Sequence, residues 1–234
     1  MAWFSLLCFM LAFAGAEASR YKKFYTNFNK EKITDAFPQP RKSAPLDLDV
    51  RVTHINVVDM DTANNRVSVI LWKRETWHDA DLTFNEARLN ISGAYVGGTD
   101  IWSPDTAFFN VAGPEQVLNR EVIAFSQGDL MSVSRVHLSV NCDLKRVKSY
   151  SGATCELHLG SFAFGNELIR LREPREGWSF LVDPALNEGS HYEVLSQGVK
   201  KSVKKYPAGD PKQFYYDMLT FSFSFREKFG GRAQ

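Results

Sequence analysis

Leu219-Thr220-Phe221-Ser222-Phe223-Ser224-Phe225-Arg226 alternates large apolar and small or polar side chains without a break. A period of two places Leu219, Phe221, Phe223 and Phe225 on one face of an extended chain, with Thr220, Ser222, Ser224 and Arg226 on the other. An amphipathic helix would repeat its apolar residues at three and four instead. The same period governs the chain from Leu46 onward. Val67, Val69 and Leu71 alternate with Ser68, Ile70 and Trp72. Val50, Val52 and His54 share one parity, and Ile55 and Val57 begin the other, which predicts either a β-bulge or burial on both faces there. Turn signals at Asp61-Thr62-Ala63-Asn64-Asn65, Gly97-Gly98, Gln127-Gly128-Asp129 and Asn187-Glu188-Gly189 divide this region into about ten such segments. The fold expected is all-β, an immunoglobulin-like β-sandwich of about ten strands.

Helix cues occur only near the N-terminus. Tyr21, Phe24, Tyr25 and Phe28 fall at i, i+3, i+4 and i+7, the stripe of a short amphipathic α-helix. Pro38, Pro40 and Pro45 then impose an extended connector. Ahead of the helix, the apolar run Trp3–Phe13 is followed by two small-residue exits, Ala14-Gly15-Ala16 and Ala16-Glu17-Ala18, and reads as a secretory signal. The domain plan expected is therefore a signal over 1–18, helix and connector over 19–45, and the sandwich over 46–234.

Secretion fixes the redox state of the thiols. Cys8 lies inside the signal, so Cys142 and Cys155 remain, and in an oxidising compartment they are expected to pair rather than bind metal. The bridge encloses the twelve residues 143–154, a loop worth about 3 kcal/mol in the chain-entropy treatment. A formal net charge of +1 argues against a nucleic-acid partner or a polybasic membrane surface. Past the signal no apolar run approaches the ~20 residues that cross a bilayer. The expectation is a secreted, extracellular protein without a membrane span.

Catalytic signatures are missing: there is no G-x-S-x-G, P-loop, H-E-x-x-H or dinucleotide fingerprint. The five histidines are scattered singly, and His78 beside Asp79 and Asp81 reads more simply as a hydrogen-bonded turn than as a metal site. No enzymatic activity, cofactor or metal is expected. Asn90-Ile91-Ser92 is the sole N-x-S/T sequon and makes Asn90 a glycosylation candidate. Lys200, Lys201, Lys204 and Lys205 read as a solvated strand face rather than as an anion site, the alternative for such a cluster.

Four segments, taken in order, carry a resemblance. They are Leu71-Trp72-Lys73-Arg74-Glu75-Thr76-Trp77-His78-Asp79, Ile101-Trp102-Ser103-Pro104-Asp105-Thr106-Ala107-Phe108-Phe109-Asn110, the loop ending Tyr150-Ser151-Gly152-Ala153-Thr154-Cys155, and the phenylalanine-alternating strand with which this section opened. Together they resemble the extracellular ligand-binding domain of Cys-loop pentameric receptors, and still more its soluble relatives, the acetylcholine-binding proteins. The resemblance implies a homopentameric ring with a small organic ligand, an amine among the candidates, held in an aromatic box between adjacent subunits. Ring faces attract such cations by about 0.5–2 kcal/mol each. One subunit would supply Phe109, Phe162, Tyr206 and Tyr216. Its neighbour would supply Trp72 with Met131, Val133 and Ile123 as apolar wall, and the pairing of Cys142 with Cys155 would be the family's disulfide.

The residues leave some of these roles open. Trp72 and Phe162 would also serve as core aromatics, and Met131 and Val133 would equally fit the sandwich interior. Trp77 and Trp102 read as core. Phe162 stands where the family usually has Trp, Phe109 stands where Tyr is common, and the hairpin Tyr206–Tyr216 lacks an adjacent cysteine pair. These departures weaken the expectation of acetylcholine or nicotine as ligand. Inside the disulfide loop, Lys145, Arg146 and Lys148 replace the apolar Phe-Pro pair of membrane-inserted members, which resembles the soluble branch. Two alternatives stay open: the ectodomain of a ligand-gated channel subunit, and a β-sandwich lectin or adhesion module.

Overall fold

The structure, a computed structural model, describes residues 45–96, 101–148, 152–173, 191–206 and 214–228. The expected signal, the N-terminal helix, Pro38 and Pro40 of the connector, the Gly97-Gly98 and Asn187-Glu188-Gly189 turns and the hairpin tip over 207–213 lie outside the described residues.

Among the described residues the chain forms ten strands: β1 Leu46–Asp61, β2 Arg66–His78, β3 Gly93–Val96, β4 Thr106–Phe108, β5 Gln116–Phe125, β6 Asp129–Asn141, β7 Ala153–Ser161, β8 Ile169–Arg172, β9 Tyr192–Tyr206 and β10 Phe214–Glu227. They make a six-stranded sheet in the order β3-β5-β6-β2-β1-β8 and a four-stranded sheet in the order β4-β7-β10-β9. All pair antiparallel to the neighbours with a described register except β1 and β8, which run parallel from Leu46 opposite Ile169. By internal contacts the chain divides into two compact units. Of the described residues, the smaller unit holds 78–96, 101–103 and 121–131, and the larger holds the rest.

The larger unit is the sandwich. Phe221, Phe223, Phe225 and Leu219 of β10 are fully buried, as are Leu157 and Leu159 of β7. The other sheet contributes Leu48, Val50, Val52, Val69 and Leu71, likewise buried. Each such side chain is worth about 1.5–3 kcal/mol against exposure, so the strictly alternating face of β10 carries much of this core. In β1 the parity change is a β-bulge: the register jumps between Thr53 and Asn56, and His54 sits at φ 54°. The bulge keeps Val52 and Ile55 both inside. It also sets the His54 ring edge-on to Trp72, centroids 5.3 Å apart. At the β1–β2 turn, Asp61 Oδ1 accepts from the Ala63 and Asn64 amides. Asn64 Nδ2 reaches Oδ2 at 2.6 Å. These bonds, the Asn64 side chain foremost, hold the Asp61 carboxyl below the usual carboxylate range.

Cys142 and Cys155 are joined, linking the end of β6 to β7. Within their loop Leu144 and Val147 tuck under, while Asp143, Lys145, Arg146 and Lys148 face solvent. Gly152 closes the loop at φ 69°, where a Cβ would lie 2.5 Å from the Phe225 carbonyl oxygen.

Two expectations need correction. Helical structure is not confined to the N-terminus: the smaller unit holds a 3-10 turn, Ala80–Leu82, and a one-turn helix α1, Glu86–Leu89. Both are too short to show a 3.6 period and are set by caps. The Asp79 carboxylate accepts from the Asp81 amide and the Asn85 side chain from the Arg88 amide, with Leu82 and Leu89 buried beneath. The lysines of β9 are not one solvated face. Lys201 turns inward to Asp217 Oδ2 at 2.6 Å and the Leu171 carbonyl at 2.6 Å, whereas Lys200, Lys204 and Lys205 are exposed.

The sandwich also buries charge. Lys73 and Glu75, two apart on β2, point into the core at 6% and 1% exposure. Lys73 Nζ donates to the Thr106 carbonyl at 3.0 Å and its Oγ1 at 3.2 Å, and lies 3.8 Å from Glu75 and 3.9 Å from Glu115. The Thr106 hydroxyl donates to Glu75. This network fastens β4, the strand leading to the site, onto β2. Lys73→Met should cost about 3–5 kcal/mol in urea unfolding because Glu75 is left buried without its cation, while adding Glu75→Leu should recover at least half of that loss. Replacing both Cys142 and Cys155 by serine should cost about 2–4 kcal/mol by the same measurement.

An aromatic cleft on the four-stranded sheet

The cleft begins with the segment after β4. The Phe109 amide donates to the His158 carbonyl at 2.8 Å. Asn110 grips β7 in both directions, Nδ2 to the Glu156 carbonyl at 2.7 Å and Oδ1 from the His158 amide at 2.8 Å. The Phe109 backbone is thus held to β7, where Gly160 makes room for the ring: a Cβ there would stand 3.0 Å from Phe109 Cε2 and 3.1 Å from the Asp217 carbonyl.

Asp105 sets the next wall. One carboxylate oxygen accepts from Ser161 Oγ at 2.6 Å, the other from the Ala163 amide at 2.6 Å, and Ser161 Oγ in turn accepts from the Phe164 amide at 3.0 Å. The turn so clamped throws Phe162 outward, 74% exposed. An exposed phenylalanine on a bonded turn is not a failed core residue, so the core alternative for Phe162 is set aside.

The third wall is the β9–β10 ladder, in which Tyr206 lies opposite Phe214, Lys204 opposite Tyr216 and Ser202 opposite Met218. Opposed residues share a face. Tyr206 and Tyr216 meet edge to face, centroids 5.4 Å apart at 87°. On the inner face of the same strand Asp217 is 5% exposed and binds Lys201, the Leu171 amide at 3.0 Å and Asn166 Nδ2 at 3.5 Å, which ties β8, β9 and β10 together behind the cleft.

These walls enclose about 350 Å³ lined by Phe109, Ser161, Phe162, Tyr206, Phe214, Tyr216 and Met218. That is room for a small organic molecule. Every lining residue is uncharged, and most are aromatic, so the cleft offers ring faces and methyl groups rather than ion pairs. Phe109, Phe162, Tyr206 and Tyr216 are all brought together here. Ser161, Phe214 and Met218 complete the lining beyond the expected set; Phe214 and Met218 share the parity of Tyr216 on β10, a signal the sequence carries openly.

The other four candidates lie elsewhere. Trp72 is half-buried on β2 between the buried Leu71 and Lys73, facing away from the core. Met131 and Val133 alternate with the buried Leu130, Ser132 and Ser134, so the interior alternative fails and both occupy the outer side of β6. Ile123 is half-buried between Val122 and Ala124 and opposite Tyr95. None of the four lines the cleft. Trp77 is buried as expected, but Trp102 is only half-buried, a correction to its reading as core. His78, weighed as a metal ligand, has its Nδ1 2.9 Å from Asp129 Oδ1.

Comparison with known proteins places this architecture. The neuronal acetylcholine receptor subunit alpha-10 of Rattus norvegicus is 24% identical over 233 residues, 96% of this chain and 50% of the relative. Subunit alpha-9 of Rattus norvegicus is 24% identical over 152 residues, 63% of this chain and 32% of the relative. Subunit eat-2 of Caenorhabditis elegans is 26% identical over 128 residues, 53% of this chain and 27% of the relative. The chain thus spans between a quarter and a half of the length of these relatives. The family described as the neurotransmitter-gated ion-channel ligand binding domain matches residues 19–229. With two sheets, a Cys142–Cys155 loop and that match over nearly its whole length, the chain belongs to the family of Cys-loop receptor ligand-binding domains.

Proposed function

We propose that this chain is a secreted, extracellular ligand-binding protein that assembles as a homopentameric ring and captures a small organic ligand between adjacent copies. One copy contributes Phe109, Phe162, Tyr206 and Tyr216, and the next contributes Trp72, Ile123, Met131 and Val133. The observation that carries this reading is the outward Phe162, held by Asp105 beside four other rings around an open cleft of about 350 Å³. Leaving a phenylalanine uncovered forgoes about 1.5–3 kcal/mol, which a guest and a facing subunit would return. The outward, half-buried Trp72 supports the second half, since an indole on the outer side of β2 is a surface that a facing copy would cover.

The disulfide supports an oxidising, extracellular setting. The solvent-facing Lys145, Arg146 and Lys148 support a Cys loop that meets water rather than a membrane bundle. Among the described residues no helix is long and apolar enough to cross a membrane. A second reading, the ectodomain of a channel subunit, is favoured by one observation: the relatives are receptor subunits of two to four times the aligned length. Under either reading the cleft works by binding, with no enzymatic step. Asn90 is a proposed glycan site; it is exposed and stands in the left-handed conformation that ends α1.

Calorimetric titration with acetylcholine, nicotine, serotonin and glycine tests the site. At least one should bind, and Phe162→Ala should weaken it tenfold or more with unfolding unchanged. Binding indifferent to Phe162, or none with any of the four, contradicts the proposal. Asp105→Asn should weaken the same ligand about three- to tenfold by loosening the Phe162 turn. After expression in secretory cells, glycosidase treatment should lower the mass of the wild type and leave Asn90→Gln unchanged.

A further inference from the structure

Lys204 lies on the cleft face of β9. Its partner across the ladder is Tyr216, and its Nζ stands 5.1 Å from the centre of the Tyr206 ring. The chain therefore places a cation of its own against a ring that lines the cleft, Lys204 itself standing outside the lining. Among the described residues no carboxylate is paired with Lys204. Both Asp105 oxygens are taken by Ser161 and Ala163 behind Phe162. Asp217 is on the opposite face, bound to Lys201. Glu156, on the outer face of β7, pairs with His158 at 3.2 Å. Lys200, two pairs further along the outer face of β9, adds a second positive charge. Among the described residues, the uncharged cleft thus lies on a strand face that carries two cations, Lys200 and Lys204.

We propose that Lys204 is a specificity-determining residue that makes the cleft prefer a small ligand bearing a carboxylate beside an aromatic or apolar body over one bearing only a quaternary ammonium. This rests on the reading that the cleft holds a ligand. The aromatic walls take the body, and the Lys204 ammonium moves from the Tyr206 face to pair with the carboxylate. A quaternary ammonium meets the same charge as a repulsion and competes with it for the ring. The preference follows from where the charge sits, on the face shared by Tyr206 and Tyr216, and Lys205 on the reverse face has no part in it.

Benzoate and phenyltrimethylammonium are matched probes, differing mainly in the sign of the charge on one ring. Titrated against the purified full chain, the wild type should favour benzoate about tenfold, a difference of about 1.4 kcal/mol. Lys204→Gln should bring the two within a factor of about three, and Lys204→Glu should reverse the order, while Lys205→Gln changes neither. Unfolding midpoints of all variants should match, since Lys204 is exposed. A wild type that binds phenyltrimethylammonium as well as benzoate, or a ratio unmoved by Lys204→Glu, overturns the role of Lys204 while Phe162-dependent binding keeps the cleft. Loss of neither probe on Phe162→Ala, or no binding of either, overturns the cleft reading and the inference with it.

Discussion

The site depends on one carboxylate. Asp105 faces two donors, the Ser161 hydroxyl at the end of β7 and the Ala163 amide in the turn after it, and that turn carries Phe162. Hydrogen bonds to a charged group are worth about 1.5–3 kcal/mol each, and hiding a phenylalanine is worth about the same. Two such bonds together outweigh the drive to fold the ring inward, so Phe162 stays out. Remove the carboxylate and the balance tips toward collapse onto the sheet. The exposed ring is therefore the product of a polar clamp, with no need to invoke loose packing.

Other features serve the same end by different physics. Gly160 withholds a side chain so that Phe109 lies on β7, and Asn110 locks that segment to the strand by bonds to two backbone groups. Behind the cleft, the Asp217–Lys201 pair replaces core hydrocarbon with an ion pair that also takes the Leu171 amide and carbonyl. Beneath β4, Lys73, Glu75 and Thr106 do likewise. A buried pair adds little net stability but is strongly destabilising when broken, so Lys73 and Glu75 fix geometry more than they raise stability, and the part-exposed Lys201 does so more weakly for Asp217. The cleft walls sit on strands held this way, which is how a site loses little entropy on binding.

Much of this was legible in the order of residues. The two-residue period of β10 and β2 gave the sheets, and the change of parity at His54 marked the bulge that carries that ring to Trp72. Phe109, Phe162, Tyr206 and Tyr216 could be named because the flanking segments resemble a known pattern, whereas Phe214 and Met218, which share the parity of Tyr216, were not anticipated. The rest was hidden for physical reasons. Asp105 and Ser161 are 56 positions apart, and no local rule links them. The helix α1 is one turn long and owes its place to Asn85, too little for any periodicity to register. The four β9 lysines look alike in sequence, yet alternation sends Lys201 to a buried carboxylate and Lys204 to a tyrosine ring.

What remains is geometric. Of the rings named for the site, Phe109, Phe162, Tyr206 and Tyr216 surround the cleft and Trp72 does not reach it. The account therefore requires that a complete binding site be shared by two copies. Mixing protomers tests this most directly, using Trp72→Ala and Phe162→Ala chains assembled separately and then together at equal amounts. If each copy lends half, neither variant alone binds the wild-type ligand, and random mixed rings regain about a quarter of the wild-type sites, those where an intact Phe162 meets a neighbour's intact Trp72. Full binding by Trp72→Ala rings alone, or no recovery on mixing, would contradict it.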